Sequence, residues 1–559
     1  MTATSSNDKN VIHLDCLVVG AGFGGMYAVH RLRSMGLSLH AIEAGGGVGG
    51  TWYWNRYPGA RCDVMSIDYS YSFSDEIMQE WTWSEVFAQQ PEILAYANFV
   101  AKKLDLLRSY SFNTRAVKIH FDDVQEVWSI QTDSGCVYRV KYLVMATGPL
   151  SMPKPLDIPG VDAFQGQLFQ AQKWPHTPVD FAGKRVGLIG VGSSGIQIAP
   201  VVAEQCEHLT VFQRTPSFTL PARTHPLTPE FVSQIKANYP HLRRMARTTF
   251  TGGVRAVSTR PFYSVLPEER KKLMSEAWDD GALTFIGLFS DLLFHPEANE
   301  EVAEFVRSKI DEVVKDPATA EKLKPRGYPI FARRPCLDTN YYETFNRDNV
   351  RLVDCVADPI EEITATGIRT SSEEIKLDII IAANGYDALT GAMLAIDVTG
   401  KGGASLKKHW AAGARSYLGL MMAGFPNLFI VAGANGPSAL ANFVVLNEQN
   451  VDWAAKCIDH LRNSGLSTLE PTPEAEERWM DEIHSLANSS LYPRANTWYT
   501  GANVAGKPRG IPFYLGGLKR YIEECNGAIE DFRHFKFSRL NASASTSPES
   551  TVAVMAEES

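Results

Sequence analysis

Two turns of the form Gly-x-Gly-x-x-Gly constrain this chain more than any other feature. The first is Gly20-Ala21-Gly22-Phe23-Gly24-Gly25, after an apolar run at residues 14–19. The second is Gly190-Val191-Gly192-Ser193-Ser194-Gly195, after an apolar run at residues 186–189. Each leads into a helical stretch. In such a strand-turn-helix unit the first glycine makes the turn and the second lets the backbone approach a pyrophosphate. The third allows helix and strand to pack closely. The helix N-terminus then offers unpaired N–H groups and a partial positive charge to phosphate oxygens. A chain with two such units can hold two dinucleotides. The expected fold class is α/β, with two dinucleotide-binding domains of the Rossmann type.

The residue that follows each unit separates the two sites. After the first helix, residues 37–42 read as a strand ending at Glu43. An acid about 20 residues beyond the turn accepts hydrogen bonds from a ribose diol, and its charge excludes a 2′-phosphate. After the second helix, residues 209–213 read as a strand ending at Arg214-Thr215. A guanidinium there stacks on an adenine and pairs with a 2′-phosphate. The acid suits FAD or NAD, and the arginine suits NADPH. Gly49-Gly50-Thr51-Trp52, a second glycine pair, favours FAD at the first site.

At 559 residues the chain is too long for one core. We expect residues 1–148 to begin an FAD-binding domain and 149–221 to begin an NADP-binding domain. Residues 222–325 are mostly helical and charged, and read as a helical insertion over the active site. Residues 326–384 then complete the NADP-binding domain and 385–540 the FAD-binding domain. The first ten residues read as a loose polar tail, and 541–559, rich in Ser, Ala, Thr and Glu, as disordered. The net charge of -9 gives no reason to expect nucleic acid or an anionic membrane as partner. Eight scattered cysteines without a Cys-x-x-Cys pair, and no signal-peptide pattern, suggest a cytoplasmic protein. The 13 histidines show no metal-ligand spacing, so no metal is expected. A monomer is expected.

Between the two turns lies Phe164-Gln165-Gly166-Gln167-Leu168-Phe169-Gln170-Ala171-Gln172-Lys173-Trp174-Pro175, which taken alone reads as an apolar connector placed to sense both sites. It resembles the signature Phe-x-Gly-x-x-x-His-x-x-x-Trp-Pro of Baeyer–Villiger monooxygenases, with Phe164, Gly166 and Trp174 in place. The likeness runs over roughly residues 14–530 and is closest to the phenylacetone and steroid monooxygenase branch. It includes residues 52–63, 192–197, 212–216, 341–349 and 498–503. It implies an FAD-containing, NADPH- and O2-dependent enzyme that converts ketones to esters or lactones through a C4a-peroxyflavin. Sulfoxidation is implied as a side activity.

The resemblance also implies roles. Arg334 matches a family arginine that keeps the peroxyflavin anionic and stabilises the oxyanion of its adduct with the ketone, and Asp63 matches the carboxylate that pairs with it. Arg333 stands where the family has a lysine that helps Arg214 grip the 2′-phosphate. Tyr69 and Ala116 join Gly20, Gly22, Gly25, Glu43, Gly50, Thr51 and Trp52 on the flavin side. Ser193, Ser194, Gln197, Thr215 and Trp498 join Gly190, Gly192, Gly195 and Arg214 on the NADPH side. Ser438, Ala439 and Leu440 match a loop bordering the substrate.

Two further departures stand out. Gln170 occupies the signature His position, and Asn384 stands in Ala383-Asn384-Gly385 where the family usually has Ala-Thr-Gly. In the family the His helps couple cofactor binding to domain movement. Gln cannot carry charge, so slow or leaky turnover with loss of H2O2 is expected. One alternative is a flavin monooxygenase acting on sulfur or nitrogen, which would not need the Asp63 and Arg334 pair; Gln170 adds another, a weakly coupled NADPH oxidase.

Overall fold

The computed structural model describes residues 11–255 and 257–539, so the expectations for the two tails lie outside the described residues. The apolar run before the first turn forms the strand Val11–Val19, whose second half is buried. It pairs in parallel with Leu39–Ile42 on one side and Val137–Met145 on the other. Val137–Met145 changes partner along its length. Its first half runs antiparallel to Val127–Thr132, and its last residues pair in parallel with Leu428–Ile430. Asp397–Thr399 adds a further strand beside Ala116–Asp122. The chain thus returns to its first sheet after building everything between.

The helices Phe23–Arg33 and Phe443–Ser464 pack against each other beside this sheet. Met26, Val29, Val444, Val451 and Ile458 belong to one buried cluster with Val18. Each such side chain contributes about 1.5–3 kcal/mol when fully buried. Asn442 caps the longer helix by accepting from the Val444 N–H, which satisfies one of its free first-turn N–H groups.

The second sheet is wholly parallel. Its order is Val350–Asp354, His208–Gln213, Arg185–Ile189, Ile379–Ala382 and Gln167–Gln170. Ile379–Ala382 is buried at every position, as a continuous Ile-Ile-Ile-Ala run demands of a strand covered on both faces. From Arg185–Ile189 the chain first builds outward on one side and later returns on the other. A switch point therefore falls beside the second glycine turn, where ligands of such sheets sit. Within the stretch 164–175, Gln167–Gln170 forms the edge strand of this sheet and pairs with Ile379–Ala382.

The helical excursion comprises Pro229–Ala246, Pro267–Asp280, Ala282–Ile286, Pro296–Val313 and Pro317–Leu323. Four of these start with proline at the first helical turn, where its missing N–H costs nothing. Thr228 and Asp316 accept from the Phe231 and Thr319 N–H groups and cap two of them. The excursion has its own apolar cluster, including Phe262, Phe285 and Val306, which also takes in Met65, Ile67, Val86 and Phe87. The chain enters it through Thr219–Pro221 and leaves through Cys336–Asp338, and these two strands pair in parallel. Among the described residues no helix is long and apolar enough to cross a membrane.

Candidate active site

The two glycine turns have nearly the same geometry. Gly20 has φ +114° and Gly190 φ +102°, a region closed to most side chains. An added Cβ would lie 2.3 Å from the Ala146 carbonyl oxygen at Gly20, and 2.6 Å from that of Ala383 at Gly190. At Gly25 and Gly195 it would lie 1.9 Å from the carbonyl oxygens of Gly20 and Gly190 respectively. Gly22 and Gly192 begin their helices without a side-chain cap. Both turns can therefore bring backbone N–H groups to a phosphate with no side chain in the way. Gly50 packs against Gly22, and a Cβ there would stand 2.7 Å from the Gly22 Cα.

The flanking residues diverge. Glu43 is 8% exposed. Its carboxylate accepts from the Ala21 and Gly45 N–H groups, each at 2.7 Å. Burial raises its pKa, against the lowering effect of those two bonds. The carboxylate thus braces the turn as well as lining the cleft, a role its spacing did not reveal. Arg214 is exposed at the end of His208–Gln213, with Thr215 beside it. The Arg333 guanidinium comes within 3.4 Å of where a Cβ on Gly192 would stand.

One cleft of about 1980 Å³ takes in both turns, Glu43, Asp63, Arg214, Thr215, Arg333 and Arg334. That is well above the ~300–1,000 Å³ of a pocket for one small ligand. Its volume, its two glycine cradles and the acid-arginine contrast fit FAD at the first turn and NADPH at the second. Thr51, Trp52, Tyr69, Ala116, Ser193, Ser194 and Trp498 also line it. The Trp52 indole N–H donates to the Tyr69 hydroxyl at 3.0 Å.

Asp63 and Arg334 meet across 271 positions of sequence, with the Arg334 Nε donating to the Asp63 carboxylate. Their side chains are 32% and 35% exposed. Arg334 reaches this place because the excursion ends there, just before Cys336–Asp338 closes its neck. Burial opposes the Arg334 charge. The Asp63 carboxylate and then Tyr499 favour it, and the net effect holds its pKa above the ordinary value. Burial pushes the neighbouring Tyr499 up to about 12, with Arg334 pulling the other way. A guanidinium does not lose its proton at working pH, so the cleft contains an oriented, permanent cation.

Several expected residues stand elsewhere. Trp174 lines the cleft, but among the described residues Phe164, Gly166 and Gln170 do not. Phe164 packs with the cluster containing Phe212 and Ile363. The Gln170 Nε2 donates to the Lys154 carbonyl at 3.2 Å. Gln197 lines the cleft, yet its amide ties the two halves of the chain together. It accepts from the Tyr57 hydroxyl at 3.0 Å and donates to the Arg61 carbonyl at 3.0 Å. Ser438 is fully buried and donates to the Gly433 carbonyl at 2.5 Å. Leu440 packs into the apolar cluster around Tyr499, and the side chain of Ala439 lies outside the described residues. Ala441 and Phe443, next along the chain, line the cleft instead, as do Tyr328 and Asn447. Phe443 opens a helix directly after Asn442, and an asparagine before an apolar run marks that start in the sequence.

Residues 14–238 match the pyridine nucleotide-disulphide oxidoreductase family. A Baeyer-Villiger monooxygenase of Pseudooceanicola batsensis is 40% identical over 536 residues, covering 95% of this chain and 97% of that protein. A cyclohexanone 1,2-monooxygenase of Acinetobacter sp is 40% identical, with 93% and 96% covered. The structure of an oxidized steroid monooxygenase bound to NADP superposes with TM-score 0.91 at 45% identity, covering 94% of this chain and 100% of that one. A crystal structure of OTEMO in complex with FAD and NADP superposes with TM-score 0.91 at 38% identity, covering 94% and 99%.

Proposed function

The chain belongs to the Baeyer–Villiger monooxygenase family, and from that membership we propose that it uses FAD, NADPH and O2 to convert ketones to esters or lactones. The observation that carries this reading is the Asp63–Arg334 pair inside a cleft that both glycine turns enter. Gly20, Gly22, Gly25, Glu43 and Gly50 would hold FAD, with Thr51, Trp52, Tyr69 and Ala116 along its wall. Gly190, Gly192, Gly195, Arg214, Thr215 and Arg333 would hold NADPH, with Trp498 nearby. Residues up to 148 and from 385 would form the flavin side, and 149–221 with 326–384 the NADPH side. The return of Asp397–Thr399 and Leu428–Ile430 to the first sheet supports this division.

When bound, FAD reduced by NADPH would activate O2, one atom of which is inserted beside the carbonyl carbon while the other leaves as water. Arg334 offers N–H donors and a fixed positive charge to the ketone oxygen as negative charge builds on it. A preorganised cation of this kind favours the transition state because it needs no reorientation during the reaction. Asp63 fixes the plane of the guanidinium through Nε. Thioethers are expected to be oxidised as a side reaction.

Purified protein with NADPH, O2 and a panel of aryl, cyclic and steroidal ketones plus one thioether tests the reading. NADPH consumed, ester formed and H2O2 released are followed in one vessel. Ester in step with NADPH is the expected result. NADPH consumption ending in H2O2 across the panel would favour the weakly coupled oxidase suggested by Gln170. Arg334→Ala is expected to lower ester formation by about 10²–10³-fold with FAD still bound. Undiminished ester formation would remove Arg334 from the mechanism.

A further inference from the structure

We propose that Lys154 is a third cation for the phosphate on the adenosine ribose of NADPH, held in position by Gln170 and Asn384. This rests on the NADPH reading and adds to it a residue that the motif does not contain.

The backbone of Lys154 is fastened on both sides. Its N–H donates to the Gly385 carbonyl at 3.1 Å. Its carbonyl accepts from the Gln170 Nε2 at 3.2 Å and the Asn384 Nδ2 at 3.1 Å. The Asn384 Nδ2 also donates to the Pro155 carbonyl at 2.9 Å, and Pro153 forms a bridge with Tyr386. Two of the positions that depart from the family pattern, Gln170 and Asn384, therefore converge on one carbonyl. Both stand at the carboxyl end of the second sheet, on the rim where nucleotide phosphates bind.

Lys154, Arg214 and Arg333 all line the cleft. Among the described residues, no carboxylate is recorded within 4.0 Å of any of these three cations. Asp387, the acid nearest in influence to Lys154, is already paired with Lys507 at 2.5 Å. Burial and then the Arg214 charge hold the Lys154 pKa below its usual value, which places the two cations in each other's field. Like charges gathered without a counter-ion destabilise the empty site, and a phosphate monoester, close to dianionic at neutral pH, relieves them. An anchored backbone lowers the ordering cost of presenting the ammonium.

The test measures calorimetric binding of NADP+ and of NAD+ to the oxidised, flavin-loaded protein. Lys154→Ala is expected to weaken NADP+ roughly 5- to 30-fold and NAD+ less than about twofold, with Lys154→Arg restoring most of the loss. The slope of NADP+ affinity against salt should also flatten in Lys154→Ala. Asn384→Ala should weaken NADP+ by about two- to fivefold alone, and add nothing to Lys154→Ala if it acts through Lys154. Equal weakening of NADP+ and NAD+, or unchanged NADP+ binding, overturns the proposal. A wild-type protein that binds NAD+ as well as NADP+ overturns the NADPH reading itself, and Lys154 with it.

Discussion

The two nucleotide turns share their backbone and differ in their surroundings. Gly20 and Gly190 have matching φ angles, and Gly25 and Gly195 have the same close approach to a carbonyl. The first turn is closed over. Gly50 packs on Gly22, the Asn447 side chain crowds Gly24, and Glu43 is buried with both carboxylate oxygens bonded to the backbone. The second is open: Arg214 and Thr215 are exposed. An enclosed cradle suits a cofactor that stays through many turnovers, and an open one suits a co-substrate that leaves after each. The same local motif thus serves two kinetic roles, set by what the rest of the chain packs around it.

The largest expected effect separates the two turns outright. Gly25→Ala and Gly195→Ala each drive a Cβ to 1.9 Å from a carbonyl oxygen, so helix and turn must part. Gly25→Ala should yield protein without flavin absorbance. Gly195→Ala should stay yellow and fail to be reduced by NADPH. Loss of flavin from both variants, with normal circular dichroism, would show that the sites are not independent.

A smaller effect concerns what each site recognises. Arg214→Ala should cut the preference for NADPH over NADH by about 30- to 100-fold, chiefly through the Michaelis constant for NADPH. Glu43→Gln should leave that preference alone and weaken FAD retention on dilution. If Glu43→Gln changed coenzyme preference, the assignment of one nucleotide to each turn would be wrong.

How much of this was legible in the sequence depends on where each residue finds its partner. The glycine turns and the Glu43–Arg214 contrast are local, and spacing alone revealed them. The fold class followed, because two strand-turn-helix units leave little choice of architecture. Asp63 and Arg334 lie too far apart in sequence for spacing to join them, and only the family resemblance suggested the pair. The hydrogen bonds that Gln197, Gln170 and Ser438 donate to the carbonyls of Arg61, Lys154 and Gly433 were not legible. A backbone carbonyl leaves no trace in residue identity. Tyr328 and Phe443 were missed for a related reason, since an aromatic facing a cleft has the same composition signal as one in a core.

The helical excursion packs on the segment that leads from Asp63 to Tyr69, and a buried acid at that contact provides the last and smallest test. Asp68 is 4% exposed and accepts from the Val254 N–H at 3.3 Å, joining the excursion to the segment that carries Asp63 and Tyr69. Burial pushes its pKa up to about 6 from an ordinary 3.8, against the pull of the Val254 N–H and Arg243. Between about pH 4 and 6 the folded chain keeps a proton that the unfolded chain has lost. Stability from this group is therefore full below pH 4 and falls as pH rises through that window. Two pKa units correspond to about 3 kcal/mol, and water admitted by local opening should trim this to about 1–2 kcal/mol. Asp68→Asn removes the titration. Its unfolding midpoint should gain on the wild type from pH 4 to 6 and run parallel above, while NADP+ binding at the open site stays unchanged. Parallel curves across the whole range would mean that Asp68 titrates at its ordinary value and that solvent reaches the contact between the excursion and this segment.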